Sequence, residues 1–425
     1  MPSAAARVDA APTEVALEGQ AEPTATSGGA ESPQKAPAPV DEEAAGRRVT
    51  VGSYEPGRGL TFTSEDERFK LATRVRAQFL YTLTHGGVER DTSHGLQLRR
   101  GRIQFGGNMF GKNNRFKLEL GLSPRDMGFS DGTARFTPVL DYYFDFTQLR
   151  DLSVRVGQSK IPYSRQRVIS SGNLQLVDRT AANAEFNLDR DIGVDVRSKD
   201  FLGLDRLRYY AGVYFGDGRD RVGTEDFTML YLARVEVLPF GSFKDYTEAD
   251  LERMERPGLS IGAAYAFHDD AAGIRGARSG APTDGGTSDT HNVTADLVFK
   301  YRGLSVQGDF FFREGRRNFG DAEVEQPDGS MAPAPQETMR RGIGWSGTTG
   351  YLLPRTTLEL AARYGQVLPT RRQSSLTRTD EVGGGASYYF AGHPLKLQLD
   401  YFARFADGTV RDPTHDVRLQ LQVAF

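Results

Sequence analysis

Two adjacent arginines are the most pointed chemical feature of this chain. Arg99 and Arg100 sit in LQLRRGRIQFGG, residues 96–107, where the apolar parity switches. Leu96 and Leu98 occupy even positions, whereas Ile103 and Phe105 occupy odd ones. A strand alternates faces with period two, so one regular strand cannot turn all four to the same side. The spacing predicts a one-residue bulge or a strand start near residues 99–101, which turns both guanidiniums the same way. Two planar forks side by side make a strong oxyanion site. A second basic stretch follows VRVGQSKIPYS, residues 154–164, and carries Lys160, Arg165, Arg167, Arg179 and Arg190 against Asp178, Glu185 and Asp189. Catalysis has less support. The six histidines fall at strand ends or in turns without a neighbouring serine and carboxylate. There is no P-loop, no HExxH and no EF-hand. The run Gly383, Gly384, Gly385 reads as a site of bending or close packing, and Asp269 with Asp270 as a solvated pair. No metal, cofactor or enzymatic activity is expected.

Composition narrows the partners. Of 425 residues, 53 are basic and 56 acidic, a net charge of −3, so no nucleic-acid partner is implied. Cysteine is absent, which excludes disulfides and cysteine-ligated metals. No apolar run approaches the ~18 residues of a spanning helix, but β-barrels hide their hydrophobicity in alternation. The opening MPSAAARVDAAPTEVALEG lacks a basic region followed by an apolar one. An exported barrel needs such a signal, so either it lies outside this sequence or the start is misplaced.

The elements that position the arginines are strands. The closing residues HDVRLQLQVAF put Val417, Leu419, Leu421, Val423 and Phe425 on one face, and Asp416, Arg418, Gln420 and Gln422 on the other. The pattern recurs at 69–83, 96–109, 115–122, 139–147, 152–157, 191–197, 208–215, 229–238, 259–267, 292–301, 304–313, 343–351, 357–364, 382–390, 395–404 and 415–425. Connections after odd-numbered strands are mostly long and polar; those after even-numbered strands are mostly short. A soluble β-protein would need two packed sheet faces and closely spaced turns. Long loops at one end and tight turns at the other instead predict an all-β chain: a transmembrane antiparallel barrel of sixteen strands over residues 61–425. Residues 239–257 break the rule, being long, charged and on the short-turn side, and are expected to hold a helical turn or a further strand pair. Residues 1–60, rich in Ala, Pro and Glu, read as a disordered arm with too little apolar surface to offset its ordering.

In such a barrel the polar faces line a lumen. Arg74, Arg76 and Arg102 form a ladder there, and basic residues outnumber acidic ones, which favours anions. The long third loop is expected to fold inward, bringing Arg99, Arg100, Arg155, Lys160 and Arg165 together at a constriction. At these residues the chain resembles the phosphate-selective porin O and P family. The matching stretches are LRRGRIQFGGNMFGKNNRFKLELGLS (98–123), VGQSKIPYS (156–164), RDIGV (190–194) and the terminal RLQLQVAF. The resemblance implies a homotrimer of 16-stranded barrels, embedded in the lipid of a Gram-negative outer membrane, with a basic third-loop constriction. It matches Arg99 and Arg100 to the family's arginine pair and Lys160 to the lysine of its GQFK-type segment. Phosphate-specific members carry arginine where Gln158 stands. The reading drawn is a passive diffusion channel for small anions, phosphate or polyphosphate above all. A general porin without phosphate preference and a non-conducting adhesin or scaffold are the alternatives.

Overall fold

Sixteen antiparallel strands close on themselves. The computed structural model describes residues 49–425, apart from 51, 87–90, 128, 131–132, 135–136, 221–227, 272, 274–281 and 409–411. Residues 1–48, most of the expected arm, lie outside the described residues. The strands are β1 (Lys70–Gly86), β2 (Thr92–Asn108), β3 (Asn114–Gly121), β4 (Val139–Phe146), β5 (Ser153–Lys160), β6 (Arg190–Ser198), β7 (Leu207–Tyr214) and β8 (Met229–Val237). They continue with β9 (Gly258–Ala271), β10 (Thr287–Tyr301), β11 (Leu304–Asn318), β12 (Gly342–Leu352), β13 (Leu358–Pro369), β14 (Thr379–Tyr389), β15 (Leu395–Ala406) and β16 (Thr414–Ala424). Each pairs with its chain neighbours, and β16 returns to pair with β1 from Thr414–Gly86 to Ala424–Arg76. All sixteen predicted strands are present. Closure pairs each of the sixteen strands on both sides, as a hydrocarbon environment demands; none of the described helices is long and apolar enough to cross a membrane.

The two faces are those of a membrane barrel. Leu360, Tyr364, Val382, Leu399 and Tyr401 point outward and are exposed, whereas Glu236, Lys300, Lys396 and Asp400 point inward and are buried. Apolar residues outside and charges inside invert the soluble pattern. The short connections end the strands tightly. Between Tyr301 and Leu304, which face each other, Arg302 and Gly303 take φ of 49° and 89°. Two consecutive positive φ values are what a two-residue hairpin turn of this twist requires.

Two segments differ from expectation. The chain enters the sheet before residue 61: Gly59–Ser64 pairs with Lys70–Thr73 of β1, and Tyr54–Glu55 and Val49–Thr50 pair with it in turn. Phe425 pairs its backbone with Val75, so Gly59–Ser64 takes over the β1 edge where β16 stops, covering a ladder otherwise left open. Residues 239–257 contain neither helix nor strand. They form a chain of turns whose Asp245, Glu248 and Asp250 are buried. Charge and length on the short-turn side reflect insertion into the lumen, which a strand-by-strand reading has no means to detect.

The third loop, 161–189, also runs inside. It contains the short helices α1 (Arg165–Val168) and α2 (Ala181–Phe186). Its Ile161, Tyr163, Ala182, Phe186 and Leu188 pack against lumen-facing Tyr214, Leu230, Leu232, Ala264, Ala266 and Phe311 in one buried apolar cluster. One side of the lumen is thereby filled.

The loop alternation sets the sidedness. A cysteine placed by Asp328→Cys, exposed in the loop after β11, should react with an impermeant thiol reagent on intact cells; one placed by Glu255→Cys, exposed in the opposite turn, should not. Labelling of the second from outside would reverse the assignment.

Candidate pore constriction and anion site

The parity switch in the sequence is a bulge. Gln78 faces Arg100 and Phe79 faces Leu98, so Arg99 is the extra residue on β2. Both arginines point inward and are 6% and 5% exposed. They converge on one carboxylate of the third loop. Arg99 Nη2 donates to Asp178 Oδ2 at 2.5 Å, and Arg100 Nη2 donates to Oδ1 at 3.1 Å. Arg363 of β13 donates to the Asp178 backbone carbonyl at 2.9 Å. Burial pushes the Asp178 carboxyl up, but Arg99 and Arg100 outweigh it and hold the group well below the usual carboxylate range.

Around this contact opens a cavity of about 1090 Å³ between the loop and the wall of β1, β2 and β13–β16. Twelve arginines and seven carboxylates line it. The wall contributes Arg99, Arg100, Arg102, Arg363, Arg404 and Arg418; loop segments contribute Arg125, Arg167, Arg179, Arg219 and Arg340; Arg190 opens β6. The like charges are crowded. Burial, then Arg99, pulls the Arg125 guanidinium below its ordinary value, and burial with Arg167 brings Arg179 down to about 9. Arg179 stays charged at neutral pH, and an anion entering here meets arginines in excess of carboxylates. Arg363 and Arg418 also flank the Phe402 ring at 5.5 and 5.0 Å. Room for that ring comes from Gly383, where a Cβ would lie 2.6 Å from it; close packing is thus what the glycine run provides.

Beside Arg99 and Arg100 the loop meets β1, where Gln78 accepts from Arg100 at 2.9 Å. Arg76 donates to Ser170 Oγ at 2.9 Å and to Ser171 Oγ at 3.0 Å, and Gln78 donates to the Ser171 carbonyl at 3.1 Å. A Cβ on Gly172 would stand 2.3 Å from the Arg76 guanidinium, so glycine permits this approach. Arg102 is held by Glu119 at 2.6 Å and Asp126 at 2.9 Å. Arg74 lies two residues further along β1, on the same face as Arg76.

The five residues expected to meet at the constriction do not all do so. Arg99 and Arg100 are adjacent and share a partner. Lys160 donates to the Val168 and Ile169 carbonyls at 3.1 and 3.3 Å and so fastens the loop instead of facing the cavity. Arg155 lies near the short-turn end, paired with Asp145 at 2.6 Å and set over the Tyr143 ring at 3.6 Å. Arg165 is sealed in a separate network with Asp245 at 2.6 Å and Asp296 at 2.5 Å. Their partners lie far away in sequence or on a neighbouring strand, which spacing along the chain does not show. Conversely, Arg125, Arg219 and Arg340 also line the cavity, though each sits in an outer loop whose sequence has no periodicity to mark it. Gln158 faces Val139, Leu140 and Asp220 through its amide, tying β5 to β4 and a loop. Among the described residues no cluster of His, Asp and Glu is arranged to hold a metal ion.

A closed sixteen-stranded barrel with an inward third loop is the architecture of a porin. Residues 69–242 match the family described as phosphate-selective porin O and P, which bears out the resemblance read from the sequence. An uncharacterized protein of Aquifex aeolicus (strain VF5) is 24% identical over 347 residues, 74% of this chain and 76% of that protein. Among solved structures, the anion-selective porin from Comamonas acidovorans is similar with a TM-score of 0.53 at 11% identity, covering 84% of this chain and 99% of that one. The outer membrane channel DcaP of Acinetobacter baumannii is similar with a TM-score of 0.53 at 10% identity, covering 88% and 100%. At such identities these likenesses show the fold.

Proposed function

We propose that this protein is a passive outer-membrane diffusion channel that prefers anions, with phosphate or polyphosphate as its solutes, working as a homotrimer in a Gram-negative cell. The observation that carries the reading is the excess of arginine around one open cavity, with the bulged pair Arg99 and Arg100 at its wall. Arginine suits oxyanions because its planar fork holds two oxygens at once. Several cations in series bind loosely enough to release, as conduction requires. The family match over residues 69–242 supports the same reading. No covalent chemistry is needed, and the channel is read as non-catalytic.

The test is reconstitution in planar bilayers with a chloride gradient. The reversal potential is expected to report anion preference, and phosphate titrated against chloride is expected to block the current. Anion preference without phosphate block would mark a general porin. A non-conducting scaffold is the second reading, favoured by the extent to which the third loop and residues 239–257 occupy the lumen. Absence of any current from correctly folded trimers would decide for it.

A further inference from the structure

The turn at 239–257 enters the lumen from the end opposite the long loops and is fixed to the wall along its length. Lys300 of β10 donates to the Lys244 carbonyl at 2.7 Å, to Thr247 Oγ1 at 2.7 Å and to the Ala249 carbonyl at 3.0 Å. Asp250 accepts from the Gly303 backbone N–H at 2.7 Å. Arg253 donates to the Leu352 carbonyl at 2.8 Å. The turn is thus a rigid bracket, since each contact is made from a different strand or strand connection.

From this bracket Glu248 reaches the third loop. Its Oε1 accepts from Gln166 Nε2 at 3.1 Å, its Oε2 accepts from the Gln175 backbone N–H at 2.8 Å, and its own N–H donates to the Asn173 carbonyl at 3.1 Å. Glu248 is fully buried, and so is Gln175. The residues it grips, 166–175, are those that bring Ser170, Ser171 and Gly172 against Arg76 and Gln78. Nearby, Asp245 accepts from Arg165 at 2.6 Å and from Arg208 at 2.8 Å. The carboxylates of the turn therefore neutralise arginines on the filled side of the lumen, while those facing the cavity stay in excess.

We propose that Glu248 is the residue that locks the third loop across the lumen, and so sets the width of the passage and confines solutes to its arginine-lined side. This rests on the channel reading for its effect on permeation, but not for its effect on the loop. A buried carboxylate accepting two hydrogen bonds suits this role, because removing it strands both donors without solvent.

The test uses the full chain with two readouts. The protein has no cysteine, so Ser170→Cys, at an exposed loop position, introduces a single thiol; it also replaces the hydroxyl that accepts from Arg76, so Ser170→Cys alone is the reference. In that background Glu248→Ala should speed labelling by a bulky thiol reagent about tenfold, the population change implied by losing two buried hydrogen bonds. Channels carrying Glu248→Ala should be wider, noisier and less anion-selective. Glu248→Gln, which keeps one acceptor, should fall between, and it serves if the alanine variant fails to assemble. Unchanged labelling in a folded variant overturns the proposal. If the wild-type barrel carries no current, the channel reading fails while the labelling still decides the role of Glu248.

Discussion

Replacing Arg99 and Arg100 together by alanine is expected to cut the anion preference sharply, although ten arginines still face seven carboxylates around the cavity. The reason lies in the charge of the trio they form with Asp178. Two guanidiniums and one carboxylate leave one positive charge beside the passage. Either single replacement leaves zero, and the double replacement leaves the bare carboxylate. A unit charge about 6 Å from a permeating ion is worth roughly 2–3 kcal/mol at an effective dielectric constant near 20, and salt reduces this. Each unit step should then change relative anion permeability by about tenfold. Reversal potentials in a salt gradient would measure the series. Equal effects of the single and double variants would place the selectivity elsewhere, with Arg74, Arg76 and Arg102 as the next candidates.

The opposite step is Asp178→Asn, expected to raise anion preference by about tenfold and to strengthen phosphate block. It leaves two positive charges with a neutral neighbour of the same shape. Acid should not reproduce this effect in the ordinary range. The Asp178 carboxyl is held well below the usual value because its arginine partners outweigh its burial. A group with a lowered folded value contributes stability that is present above its unfolded value, about 3.9, and is lost as pH falls through the folded one. Selectivity from this contact should therefore stay level from neutral pH down to about 4 and change only in stronger acid. A titration step near neutrality would show that another group governs the passage.

The sequence carries the wall better than its filling. Strand alternation is a local signal repeated sixteen times, and the loop-length pattern supports it independently. The bulge was legible too, because an apolar face cannot change parity without an extra residue. What sequence spacing hides is which charges meet. Arg155 is spent on Asp145, one strand away, and Arg165 on Asp245 and Asp296, far along the chain. Lys160 looks like a solute ligand by position but spends its donors on loop carbonyls. The turn at 239–257 was visible as an anomaly in length and charge, yet nothing local says that a turn points inward.

The stitching of the third loop has a consequence for the order of assembly. Gln175 bonds to Glu359 and Ser387, the Val177 N–H donates to Asp400, and the Gly172 carbonyl accepts from Gln422. These partners lie up to 250 residues downstream, on the last four strands to be synthesised. Until β13–β16 arrive, Gln175, the Val177 N–H and the Gly172 carbonyl lack these partners and water must serve instead. The narrowing of the passage is then among the last events of folding, after the wall has formed. A nascent barrel that stalls before its final hairpin would be an unplugged hole, leaky to far larger solutes than the finished protein admits.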